Sequence, residues 1–248
     1  MHHAQIDSLA SQEGPLQRRD ARVKLLVTLG YVVAVSLTVP GPSLAVYAFL
    51  LVVTAAFARV PLLFLGRRLL VLLPFTLLPA LFIPFTAGGA LGMGLGAPTR
   101  EGFLAAGVVV AQALCSAGAL LLLAATTPMH ELLAALRWIR VPSILVVVLG
   151  LLYRYLFVLV DETERMARAR AQRGGSGLGG VRGGAALLGT LLMRATDRAL
   201  AVHRAMLARG LGNEPKREKA RPLSRTDIAF LTVAAGLIGG ALMLGFVS

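Results

Sequence analysis

Long apolar runs broken by short polar or proline-bearing segments set the pattern of this chain. Runs at 23–39, 43–58, 69–85, 103–125 and 227–247 have the length and uniform apolarity of membrane-crossing helices. Pro40-Gly41-Pro42 closes the first with a tight turn, and Pro74, Pro79 and Pro84 predict a kinked third. The stretch 86–99 is rich in glycine and carries no charge, so it reads as a loop. Gln112 and Ser116, among small residues, predict a helix-packing face on the fourth run. Thr126-Thr127-Pro128 then opens a short amphipathic helix, 129–140, with Arg137 and Trp138 near its end. Beyond it two long helices are expected, 141–173 and 185–210. Between them, residues 174–184 hold seven glycines in eleven positions, which reads as a flexible connector or a tight hairpin. A charged return over 211–225 leads to the last apolar run.

Composition turns this pattern into a fold class. Hydrophobic residues make up 56% of the 248, charged residues only 15%, and mean hydropathy is +0.76. The expectation is an all-α integral membrane protein with about five transmembrane helices. Residues 1–125 hold the N-terminal tail and helices 1–4, 126–225 form a cytoplasmic coupling platform of one short helix and two long crossed helices, and 226–248 form the last helix. The first twenty residues are polar and show no apolar core of a cleavable leader.

The net charge of +13 decides the topology. In a soluble protein it would raise nucleic acid as a partner, but no basic segment is interleaved with stacking aromatics. In a membrane protein, Lys and Arg mark the cytoplasmic side. The run 141–160 also looks able to cross, yet crossing would put 161–225, with fourteen Lys and Arg, outside. Keeping 141–160 at the cytoplasmic edge, with the N-terminus cytoplasmic, leaves only Arg100 outside, beside Glu101.

Chemistry is sparse. Within the expected spans the acidic residues are the edge pair Glu101 and Asp227, which argues against a proton relay or an intramembrane hydrolase. No Ser-His or Cys-His pairing stands out, His130-Glu131 has no second histidine to make a zinc motif, and Cys115 is a lone cysteine. His203 reads as a packing or interface residue. His2 and His3 are weak metal candidates, since a free amino terminus with a third-position imidazole can hold Cu(II) or Ni(II). A disordered terminus is the plainer reading of that pair. No cofactor is expected.

One repeat stands out. At an offset of 36, Asp161, Arg168-Ala169 and Arg173-Gly174 recur as Asp197, Arg204-Ala205 and Arg209-Gly210. The spacing predicts two helices of one make, each ending in an exposed arginine followed by a glycine C′ residue. Capping alone would explain one copy. Two copies point to a docking role, because guanidinium binds carboxylate bidentately and lysine does not.

These ends, Gln172-Arg173-Gly174 and Ala208-Arg209-Gly210, resemble the two signature motifs of the transmembrane (T) component of energy-coupling-factor transporters, the CbiQ/EcfT family. The family most often has alanine where Gln172 stands. Asp20-Ala21-Arg22-Val23-Lys24 resembles its Asp-Pro-Arg-x-Lys entry, with Ala21 in place of proline, and Thr126-Thr127-Pro128 through Leu136-Arg137 to Val141-Pro142 resembles its first coupling helix. The resemblance runs over about 5–247. The lead from Ile6-Asp7 to Pro15-Leu16 is closer to the cobalt/nickel branch than to the shorter vitamin branches.

The resemblance implies a non-catalytic subunit in a bacterial cytoplasmic membrane. Two cytoplasmic ABC ATPase subunits would each take one arginine end, Arg173 or Arg209, and a separate substrate-binding (S) membrane subunit would lie against 141–160. The substrate it implies is cobalt or nickel. A T component of a vitamin importer and a conventional ABC-type permease are the alternatives. A membrane enzyme with its site in 161–225 would show activity as a single chain, and a self-contained channel would need more polar spans.

Overall fold

In this computed structural model, residues 16, 19–38, 41, 43–86, 99–174, 181–210 and 224–247 are described. Their elements are α1 (Ala21–Leu37), α2 (Ser43–Phe57), α3 (Leu62–Ala80), α4 (Ile83–Thr86), α5 (Arg100–Thr126), α6 (Met129–Trp138), α7 (Ser143–Gln172), α8 (Val181–Ala208) and α9 (Arg225–Val247). Among the described residues there is no strand, so the all-α expectation holds. His2 and His3, most of the glycine loop 86–99 and the return 211–223 lie outside the described residues.

Local chemistry sets the helix starts. Asp20 caps α1 by accepting from the Arg22 amide at 3.1 Å, and Thr99 caps α5 by accepting from Gly102 at 3.2 Å. Pro74 and Pro79 sit inside α3, and the short α4 follows it after one turn. Four segments are long and apolar enough to cross a membrane: Leu63–Phe85, Arg100–Thr126, Ser143–Gln172 and Thr226–Leu244. Ser43–Phe57 is a shorter apolar helix. The first expected span is a 17-residue helix, α1, about 26 Å long at 1.5 Å per residue. Ser143–Gln172, expected at the cytoplasmic edge, meets the length and composition of a span.

The chain divides into two compact units, residues 1–136 with 222–248, and residues 137–221. The first is a helical membrane body. Its core joins Tyr31, Ala34 and Val35 of α1, Tyr47 and Leu51 of α2, Cys115 and Ala119 of α5, and Ala241 of α9. The rings of Tyr31 and Tyr47 meet edge to face at 5.6 Å, and each hydroxyl finds a carbonyl: Tyr31 donates to Tyr47 at 2.8 Å, Tyr47 to Ile238 at 3.3 Å. Small residues allow close helix approach: a Cβ on Gly118 would lie 2.6 Å from Leu51 Cδ2. Gln112 Nε2 donates to the Thr38 carbonyl at 2.9 Å, which bears out the packing face on α5.

Polar contacts gather where α1, α5 and α6 meet. Lys24 is buried, and its Nζ donates to the Thr126 carbonyl at 2.9 Å while lying 4.0 Å from Glu131 Oε2. A cation there satisfies a terminal carbonyl at the negative end of α5. Asp227, also buried, lies 3.6 Å from Arg19. On α6, Ala135 is fully buried with Ala21 and Leu25 of α1, so the short helix packs on the membrane body.

Candidate functional site

The second unit carries the repeat. Its two helices pair in antiparallel order. Arg170 of α7 donates to the Gly183 carbonyl of α8 at 2.8 Å. Eight residues back along α7, Glu162 accepts from Arg194, further along α8. Glu162 also accepts from Arg165 on its own helix at 3.1 Å. Positions that fall along α7 therefore rise along α8.

That order gives the 36-residue offset a geometric meaning. A cavity of about 380 Å³ between the helices is lined by Val158, Leu159 and Glu162 of α7 and by Arg194, Ala195 and Arg198 of α8. Each of the second three is the first three's equivalent in the repeat. Asp197, equivalent to Asp161, lines it too. Equivalent positions meet across the antiparallel pair near Leu159 and Ala195, the arrangement a local two-fold would give.

The two arginine ends are built alike. Gly174 and Gly210 have φ of +79° and +83°, the left-handed region where glycine carries no steric cost. Their amides bond the carbonyl three residues back, Gly174 to Ala171 at 3.2 Å and Gly210 to Leu207 at 3.0 Å. So do the arginine amides: Arg173 to Arg170 at 3.1 Å, Arg209 to Met206 at 3.1 Å. These are αL helix stops. Gln172, Arg173, Ala208 and Arg209 are all exposed, as are Asp161, Arg168, Ala169, Asp197, Arg204 and Ala205. Arg168 pairs with Glu164 at 3.2 Å on its own helix, an i,i+4 contact of small energetic weight. His203 is exposed, and no group of three His, Cys, Asp or Glu among the described residues could hold a metal.

The antiparallel order separates the ends. Arg173 follows Arg170, which touches the start of α8, and Arg209 follows the far end of that 28-residue helix. At 1.5 Å per residue the two tips stand roughly 40 Å apart. No single small anion can bridge them.

The profile of the CbiQ family, described as cobalt transport protein, matches residues 12–219. This chain belongs to the CbiQ family. It is 32% identical over 250 residues to the cobalt transport protein CbiQ of Rhodobacter capsulatus, an alignment covering 98% of this chain and all of that one. It is also 25% identical to an uncharacterized protein of Methanocaldococcus jannaschii, over 88% of this chain and 78% of that protein. A Methanocorpusculum labreanum chain named as a fused cobalt transport protein CbiMQ is 28% identical over 66% of this chain and 29% of its own length. As a CbiQ-family protein with several helices of membrane-crossing length, it is a multi-pass membrane component of cobalt transport type.

Some of the geometry has no trace in local sequence. Lys24 and Thr126 are 102 residues apart, and nothing short of the fold pairs them. The start of α8 lies at Val181, so Gly183 and Gly184, expected in the connector, are helical. Gly183 lies against the Arg170 side chain: a Cβ there would be 2.8 Å from Arg170 Nη2.

Proposed function

We propose that this chain is the coupling subunit of an ATP-driven importer of the energy-coupling-factor type, serving cobalt uptake across a bacterial cytoplasmic membrane with its N-terminus inside. It hydrolyses nothing itself. Arg173 and Arg209 dock two cytoplasmic ATPase subunits, one each, through bidentate bonds to carboxylates. Movement of the two ATPases shifts α7 against α8, and the apolar half of α7, 143–160, passes that shift to a separate substrate-binding membrane subunit.

The observation that carries this reading is the pair of like-built arginine ends, roughly 40 Å apart about a local two-fold. A two-fold platform suits two copies of one partner better than one. Gly174 and Gly210 stop each helix so that the preceding arginine is its last exposed cation. The name of the Rhodobacter relative supports cobalt, and the longer fused archaeal relative supports a second protein working beside this one.

Uptake of labelled cobalt in cells carrying the full transporter tests it. Arg173→Ala or Arg209→Ala alone weakens uptake, both together nearly abolish it, and lysine at either position restores it only partly. Normal uptake in the double variant rejects the coupling role.

A further inference from the structure

A second duplication, independent of the arginine ends, lies in the connections. Arg59-Val60-Pro61 joins α2 to α3, and Arg140-Val141-Pro142 joins α6 to α7. The two elbows share their backbone. Arg59 has φ +53° and Arg140 φ +68°, the positive-φ positions among described non-glycine residues. Each arginine amide bonds three residues back, Arg59 to Ala56 at 3.1 Å and Arg140 to Arg137 at 3.2 Å. Each proline is the N-cap, Pro61 at φ −62°, ψ 119° and Pro142 at φ −48°, ψ 132°. Each proline carbonyl accepts from the third and fourth residues on, Phe64 and Leu65 in one, Leu145 and Val146 in the other.

An L-residue in the left-handed region carries a steric cost that glycine escapes. This chain uses glycine at its two other described left-handed positions, Gly174 and Gly210. Arginine at the elbows carries a backbone cost that glycine would escape, which points to its side chain. At the first elbow Ala58 and Val60 are buried in the core with Leu65 and Leu122, which turns Arg59 between them outward, and it is exposed. Arg140 is exposed as well. Neither pairs with a carboxylate among the described residues, and no Asp or Glu occurs anywhere in 21–100.

The surroundings say what supplies the countercharge. Phe57 (67% exposed) and Leu63 (85%) flank Arg59, and Trp138 (43%) and Ile144 (63%) flank Arg140. Each elbow comes directly before a segment apolar enough to cross a membrane, Leu63–Phe85 or Ser143–Gln172. A cation flanked along the chain by exposed apolar side chains, at the start of such a segment, fits the headgroup level of a bilayer, where tryptophan also collects. We propose that the two Arg-Val-Pro elbows are headgroup clamps, Arg59 and Arg140 each binding the phosphate of an acidic phospholipid whose acyl chains cover the flanking apolar side chains.

The substitution that tests this leaves the backbone at ease. The full-length chain is placed in nanodiscs of phosphatidylcholine with or without phosphatidylglycerol, and retained lipids are counted by native mass spectrometry. The wild type holds phosphatidylglycerol in preference to phosphatidylcholine. Arg59→Gly and Arg140→Gly each lower that preference about five-fold, the effect of one basic side chain at an acidic surface, and together about 25-fold. Their unfolding midpoints in phosphatidylcholine stay level or rise. Should the glycine variants not fold, Arg59→Asn with Arg140→Asn gives the same readout, since asparagine tolerates this backbone. An unchanged preference in the double variant overturns the proposal. So does loss of the phosphatidylglycerol preference on adding inorganic phosphate, or loss of a protein partner with lipid preference intact.

Discussion

Arg170 and Gly183 hold the mouth of the two long helices together: Nη1 donates to the Gly183 carbonyl at 2.8 Å, and the missing Cβ leaves room for the guanidinium. With the link from Arg194 to Glu162 further along, this contact sets the antiparallel order that puts Arg173 and Arg209 at opposite ends. The same two helices in parallel order would bring both tips to one place.

The Glu162–Arg194 link makes a prediction about that order. Spin labels at the exposed Phe157 and Leu200 report one narrow distance in the native chain. Glu162→Arg or Arg194→Glu alone sets like charges against each other and broadens it. The swapped double variant, Glu162→Arg with Arg194→Glu, narrows it again. A distribution indifferent to all three would mean the pair does not hold the helices.

How much of this was legible beforehand can be seen residue by residue. The two arginine ends were, because a left-handed stop needs glycine and Gly174 and Gly210 advertise it in a fixed frame. The membrane class was, because apolar runs of that length have few other uses. The antiparallel order was not: an offset of 36 is equally consistent with parallel helices, and the contacts of Arg170 with Gly183 and of Arg194 with Glu162 decide. The left-handed arginines at 59 and 140 were invisible, since nothing in Arg-Val-Pro specifies a positive φ. Lys24 stands in the sequence as the end of the Asp20-Ala21-Arg22-Val23-Lys24 entry, and its partner on α5 is a backbone carbonyl that no side-chain pattern announces.

Lys24 should be sensitive to loss of its amine. Lys24→Met leaves the buried Thr126 carbonyl without its donor, at a cost of about 1–3 kcal/mol. Glu131→Gln should cost much less, because Glu131 is 40% exposed and 4.0 Å away. Thermal unfolding in detergent compares the two, and equal losses would contradict the carbonyl as the main partner.

Gly118 and Leu51 should behave as one unit. Gly118→Ala places a methyl 2.6 Å from Leu51 Cδ2 and should destabilise the body by about 1–3 kcal/mol. Leu51→Ala should destabilise it by about 2–5 kcal/mol. The double variant should lose clearly less than the two together, since each change relieves the other. Simple additivity in unfolding midpoints would show that α2 and α5 move apart freely.

The charge count predicts the side of the membrane on which α7 ends. With Cys115→Ala as background, a cysteine at the exposed Ala171 should react with an impermeant maleimide from the cytoplasmic face alone. Labelling from the outer face would mean that Ser143–Gln172 crosses, and the docking surface would then face away from any ATPase.

The most direct measurement is co-purification of the tagged full-length chain with its ATPases, read by native mass spectrometry. The account predicts two ATPase subunits on the wild type, weakened retention in Arg173→Ala or Arg209→Ala, and none in the double variant, with the unfolding midpoint unchanged because both tips are exposed. Two ATPase subunits still bound to the double variant would contradict it.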